Sequence, residues 1–186
     1  MVKHIGTREI ATQRLLLRKF RKDDAEMIYR NYASDPEVTR YLTWPPHASV
    51  DVTRNFINYV LGNYEAENGY DWAIVYEGEV VGSIGVVSIS AKDEYCEVGY
   101  CLSRKLWGRG IMTEALKAVV GFLFDKADFN CVCAYHDAAN PASGKVMQKA
   151  GMKRDGILRA RKKYHDGEYH DFVYYSILKS EYQESI

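Results

Sequence analysis

The chain has 186 residues, 47% hydrophobic and 27% charged, which suits one globular core and leaves little material for a second. Its 25 basic residues balance 25 acidic ones, so no net field draws it to nucleic acid or an anionic membrane. No stretch reaches the roughly 20 apolar residues of a membrane span, and the opening MVKHIGTREI lacks a signal peptide's apolar centre; the expectation is a cytoplasmic protein without nucleic-acid or membrane partners.

A single domain over residues 1–186 is expected, with residues 1–11 as an N-terminal arm. Residues 14–20, with three consecutive leucines, read as a first strand, and Asp23 and Asp24 then open a helix to about Ala33. Asp35-Pro36 breaks that helix, and residues 37–46 read as an irregular segment ending in Trp44-Pro45-Pro46. A second helix starts near Ser49 and runs to about Glu67. Residues 71–76 and 80–90 are β-branched runs joined by Glu77-Gly78-Glu79, a hairpin signature, and residues 94–102 continue the meander.

Residues 107–115, Trp-Gly-Arg-Gly-Ile-Met-Thr-Glu-Ala, place two glycines directly before an apolar-periodic helix that runs to about Lys126. Such a loop turns free backbone N–H groups and the positive end of a helix dipole toward one spot, the chemistry of a phosphate cradle. Residues 129–135 form a short apolar strand, so the strand, loop, helix and strand make a crossover unit with parallel pairing. Asn140-Pro141 opens another helix that Ala150-Gly151 closes. Residues 152–164 and 169–178 alternate on either side of His165-Asp166-Gly167 and form a terminal hairpin. The cysteines Cys96, Cys101, Cys131 and Cys133 read as reduced thiols, and no His or Cys spacing suggests a metal site.

Three signals stand in fixed order: the strand Glu97-Val98-Gly99-Tyr100-Cys101-Leu102, the glycine loop with its helix, and Asn140-Pro-Ala-Ser143 opening a helix that ends Lys149-Ala-Gly151-Met152. Together they resemble the GNAT superfamily of acetyl-CoA-dependent N-acetyltransferases, and within it the ribosomal-protein N-terminal (Rim-type) branch. The resemblance covers nearly the whole chain, with Lys105 where the family more often has Gln or Arg. It implies the acyl-CoA N-acyltransferase fold, a mixed α/β, mostly antiparallel sheet of about six or seven strands, flanked by helices and splayed between residues 98–102 and 129–135. It implies acetyl-CoA as co-substrate, no metal, an amine acceptor as partner, and the homodimers that the branch often forms.

By the same resemblance, acetyl-CoA is held by Tyr100, Cys101 and Leu102, by Trp107, Gly108, Arg109, Gly110, Ile111, Met112 and Thr113, and by Asn140, Ser143 and Lys145. Ser143 is the candidate acid for the leaving thiolate, since Met147 stands where many superfamily members have a tyrosine. Asn140 and Ser143 are equally ordinary helix-opening residues, so capping is their alternative role. Glu97, a carboxylate inside an apolar strand, is the candidate base; its alternative is an ion pair on an exposed face. Trp44 and Asp171 are candidate acceptor-binding residues, Asp171 with the option of orienting its own strand. The acceptor reading is a protein N-terminal α-amine. A small-molecule acceptor such as a polyamine, amino acid or antibiotic, or a non-catalytic acetyl-CoA-binding module, are the alternatives.

Overall fold

The computed structural model describes residues 1–164 and 167–184. Strands β1 (Ile10–Ala11) and β2 (Leu15–Arg18) lead into a 3-10 turn (Lys22–Asp24), helix α1 (Ala25–Ile28), a π-helical turn (Tyr29–Ala33) and the short helix α2 (Pro36–Thr39). Helix α3 (Val50–Asn63) precedes the meander β3 (Asp71–Tyr76), β4 (Glu79–Ser90) and β5 (Tyr95–Leu102). A 3-10 turn (Arg104–Leu106) and the glycine loop lead to α4 (Ile111–Asp125), then β6 (Cys131–Asp137), α5 (Pro141–Lys149), β7 (Lys153–Lys163), β8 (Tyr169–Leu178) and α6 (Lys179–Glu184). The strands form one sheet in the order β1-β2-β3-β4-β5-β6-β8-β7, antiparallel except where β5 meets β6. His165 and Asp166 of the terminal turn lie outside the described residues.

The sheet therefore has eight strands rather than the six or seven expected. The addition is β1, two residues paired to Leu16 and Leu17, too short to leave an alternating pattern. The arm before it is stitched down: Lys3 N–H donates to Ala127 O at 2.8 Å, Thr7 Oγ1 to Gly69 O at 3.1 Å, and the Trp72 indole to Arg8 O at 2.6 Å. The strand predicted at 129–135 begins two residues later, because Phe129 is wholly buried in the main core with its N–H on Leu123 O at the end of α4.

Alternation divides the core in two. One face of the sheet buries Leu17, Trp72, Ile84, Val98 and Val132 against the apolar stripe of α4, including Ala115, Val119 and Leu123. The other buries Ala73, Val80 and Cys101 under Phe20, Ile28, Tyr32 and Ile57, which come from the segments before and within α3. The first helix, expected to continue to Ala33, widens into a π-turn where the Ser34 hydroxyl donates to Tyr29 O and His47 N–H donates to Ala33 O. Those outside donors draw the carbonyls away from α-helical partners.

The roof formed by these segments is tied to the sheet by one buried ion pair. Arg18 at the end of β2 donates to both oxygens of Asp24, at 2.8 and 2.7 Å, and Asp24 also accepts Arg21 N–H at 2.7 Å. The carboxylate raises the Arg18 guanidinium above its ordinary value. Breaking one side would strand a charge that is otherwise compensated. Asp24→Ala is expected to destabilise the protein by about 3–5 kcal/mol, read as a lower urea midpoint with an unchanged m-value.

Candidate active site

β5 and β6 pair only at Tyr95–Cys131, Cys96–Val132 and Glu97–Cys133. Beyond Glu97, β5 stays paired with β4 as far as Leu102 while β6 stays paired with β8 as far as Asp137, so the sheet opens into a wedge. Backbone groups of residues 98–102 on that side lack a neighbouring strand, the condition under which an extended amide-bearing ligand can add itself as one. A cavity of about 1210 Å³ fills the wedge and continues under the roof.

The glycine loop forms one end. Gly108 and Gly110 have φ of 75° and 76°, the left-handed region, and Gly110 is the residue from which α4 starts. No side chain caps that N-terminus, so its first N–H groups remain available to an anion. The Trp107 indole donates to Leu102 O at 2.9 Å and latches the loop to the end of β5. Glu114 in the first turn of α4 accepts from Thr12 Oγ1 at 2.6 Å, Arg14 N at 3.0 Å and Arg14 Nε at 2.7 Å, fixing the helix against the N-terminal strands. These residues fit a pyrophosphate; Trp107, Gly108, Gly110, Ile111, Met112 and Thr113 all line the cavity. Arg109 is exposed and is not among the lining residues, and its carbonyl accepts from Arg14 at 3.0 Å.

Across the wedge, Asn140 caps α5 by accepting Ser143 N–H at 3.4 Å, and Asn140, Ser143 and Lys145 face the cavity. Tyr100, expected to contribute backbone, also contributes its hydroxyl, which lies 3.0 Å from Ser143 Oγ and donates to Ser143 O at 3.2 Å. Burial pushes this phenol well above its ordinary value, keeping it protonated. The Ser143 hydroxyl thus stands beside a phenol that keeps its proton, and either oxygen can donate to the other. Cys101 is buried with its thiol 3.2 Å from Ser83 Oγ, and burial pushes it up to about 11, which leaves little thiolate for nucleophilic attack.

Glu97 lies where the strands part and lines the cavity. Burial raises its carboxyl above the ordinary value, opposed by Lys162 and Arg161 of β7. Trp44 and His47 line the roof side with ring centroids 5.1 Å apart, and burial lowers the His47 imidazole. Asp171 lies elsewhere. Its carboxylate accepts Ala160 N–H at 2.8 Å and holds a bulge of β7 in which Ala160 has φ 48°, so it orients its strand and does not line the cavity.

His136 and Asp71 are among the lining residues not read from sequence. His136 at the end of β6 donates through Nδ1 to Asp137 O at 2.7 Å and presses its other edge against α5 at Gly144, where an added Cβ would lie 2.5 Å from Nε2. Asp71 opens β3 on the face of Ala73, and burial raises its carboxyl to about 6. A charged residue in step with buried alanine was the available signal. Among the described residues, no group of three or more His, Cys, Asp or Glu side chains is placed to hold a metal ion, and no helix is long and apolar enough to cross a membrane.

A family model described as Acetyltransferase (GNAT) domain matches residues 14–153. The uncharacterized N-acetyltransferase p20 of Bacillus licheniformis is 31% identical over 173 residues, covering 92% of this chain and 96% of its own. YdaF of Bacillus subtilis, named as a candidate ribosomal N-acetyltransferase, is 29% identical over 120 residues, 64% of this chain and 65% of its own. The crystal structure of a GNAT-family acetyltransferase from Bacillus anthracis superposes with a TM-score of 0.82 at 28% identity, covering 93% of this chain and 99% of that one.

The raised Asp71 value has a consequence for stability. A carboxyl with a folded-state value above its unfolded one is favourable while protonated, and that contribution is lost as pH rises through about 6. Asp71→Asn should therefore be more stable than the parent by about 1–2 kcal/mol above pH 7, with the two melting curves converging toward pH 4.

Proposed function

This chain belongs to the GNAT acetyltransferase family and is an acetyl-CoA-dependent N-acetyltransferase, and on that premise we propose that it acetylates the α-amine of a protein N-terminus by direct transfer in a ternary complex. The observation that carries the reading is the partly buried Glu97 at the apex of the wedge, with Lys162 and Arg161 acting against its burial. Such a base is modest. An α-amine with pKa about 8 is roughly one-tenth neutral at pH 7, whereas a lysine amine is neutral in only about one molecule in 2,500. A modest base therefore suits the α-amine.

Acetyl-CoA supplies an acetyl group already activated as a thioester. The glycine loop and α5 hold and orient it, Glu97 takes the proton released by the acceptor ammonium, and Ser143, positioned beside the Tyr100 hydroxyl, donates toward the departing sulfur. A chain of direct transfer needs no covalent acetyl-enzyme, in keeping with the protonated thiol of Cys101. The likeness to YdaF supports a protein acceptor. Of the carboxylates lining the cavity, Asp137 accepts Ala139 N–H at 2.8 Å and meets His170 Nδ1 at 2.5 Å, Glu97 is faced by two cations and Glu37 is exposed, which leaves Asp71 alone rather than the acidic basin a polyamine calls for.

Two measurements test these roles. Protonation disables the base, so the rate should fall as pH drops through the raised Glu97 value; Glu97→Gln should cut kcat by about 10²-fold and abolish that limb. An unchanged profile would remove Glu97 from the mechanism. Gly110→Val should raise KM for acetyl-CoA about tenfold with kcat little altered, since valine resists the left-handed backbone that opens α4.

A further inference from the structure

We propose that Asp71 receives a second cationic group of the acceptor, making it a specificity-determining residue for acceptors that carry a positive charge beside the reacting amine. The inference rests on the α-amine reading for the form of the acceptor, a protein N-terminus with a lysine or arginine at its second or third position.

Asp71 lines the floor of the cavity, and among the described residues no hydrogen bond or ion pair reaches its carboxylate; only its backbone is engaged, by Thr7 and Tyr64. The seat is specific. A Cβ on Gly85, its partner on β4, would lie 2.6 Å from Asp71 Oδ1, so the carboxylate occupies space that only glycine leaves. An ionised carboxyl partly withdrawn from water without a partner is disfavoured, and a cation delivered by the ligand offsets that cost.

The other acids of the cavity are committed or lie at its rim. Asp137 is held by Ala139 N–H and His170, Glu97 is faced by Lys162 and Arg161, and Glu37 is exposed. The roof above the floor offers Phe20 and Phe56, edge to face at 5.7 Å, together with Trp44, and aromatic faces attract an ammonium or guanidinium. His47 among them is kept neutral by burial and does not compete as a cation.

The spacing fits. Asp71 pairs with Gly85 and Gly85 with Gly99, so Asp71 lies two strands from β5, on the order of 10 Å from Glu97. An extended peptide advances about 3.3–3.6 Å per residue, so with its amine at Glu97 a lysine one or two residues on reaches Asp71.

The test measures coenzyme A release by the parent and Asp71→Asn with peptides Ser-Lys and Ser-norleucine, which differ only in the terminal charge of the second side chain. The parent should favour the lysine peptide about tenfold in kcat/KM, and Asp71→Asn should bring the ratio near one. A parent ratio near one, or a preference that survives in Asp71→Asn, overturns the assignment. If neither peptide is acetylated, the α-amine reading fails, and cadaverine against pentylamine gives the deciding ratio: a diamine preference lost in Asp71→Asn sustains the role of Asp71, and its absence or persistence overturns it.

Discussion

Everything in this molecule depends on where two parallel strands stop being neighbours. Three residue pairs join β5 to β6, after which each strand keeps its outer partner and loses its inner one. Unpaired backbone groups in a protein interior demand a partner. The fold leaves that vacancy for a ligand able to act as a strand, and α4 and α5 start on either side of it. Their N-termini are positioned by the same departure of β6 from β5, so cradle, slot and wedge are one geometric fact.

The roof contributes the second half of the site by different physics. Its helical segments are short and interrupted by a π-turn, and their own hydrogen bonds do not hold them in place. They are seated by apolar burial around Phe20, Ile28 and Ile57 and by the Arg18–Asp24 pair. A roof assembled from tertiary contacts between α3 and these short segments can present aromatic and polar side chains to the floor without filling the space between.

Local chemistry was legible in the sequence and cross-strand chemistry was not. The glycine loop, the crossover and the Asn140 cap are set within a few residues, and they stand in the structure where their patterns put them. Tyr100 was placed on the correct strand, yet the partner of its hydroxyl comes from α5, which no spacing along the chain encodes. Asp71 acquires its meaning from Gly85 on the next strand. Asp171 alternates like a residue aimed at the cleft, but the bulge around Ala160 turns its carboxylate to a backbone N–H, and a left-handed alanine leaves no mark in the sequence. Arg109 sits in the motif while its side chain stays outside the cavity, because the loop offers backbone there.

The stitched N-terminal arm bears on the order in which the molecule can be built. Residues 3–14 find their partners at Gly69, Tyr70, Trp72, Arg109, Glu114 and Ala127. This segment is thus among the last of the domain to be seated, since some of its partners emerge more than a hundred residues later. Glu114 joins that late event to the loop at Gly110. The start of α4 gains its final anchor only when segments about a hundred residues apart have met, and the shape of the anion cradle is a late product of folding.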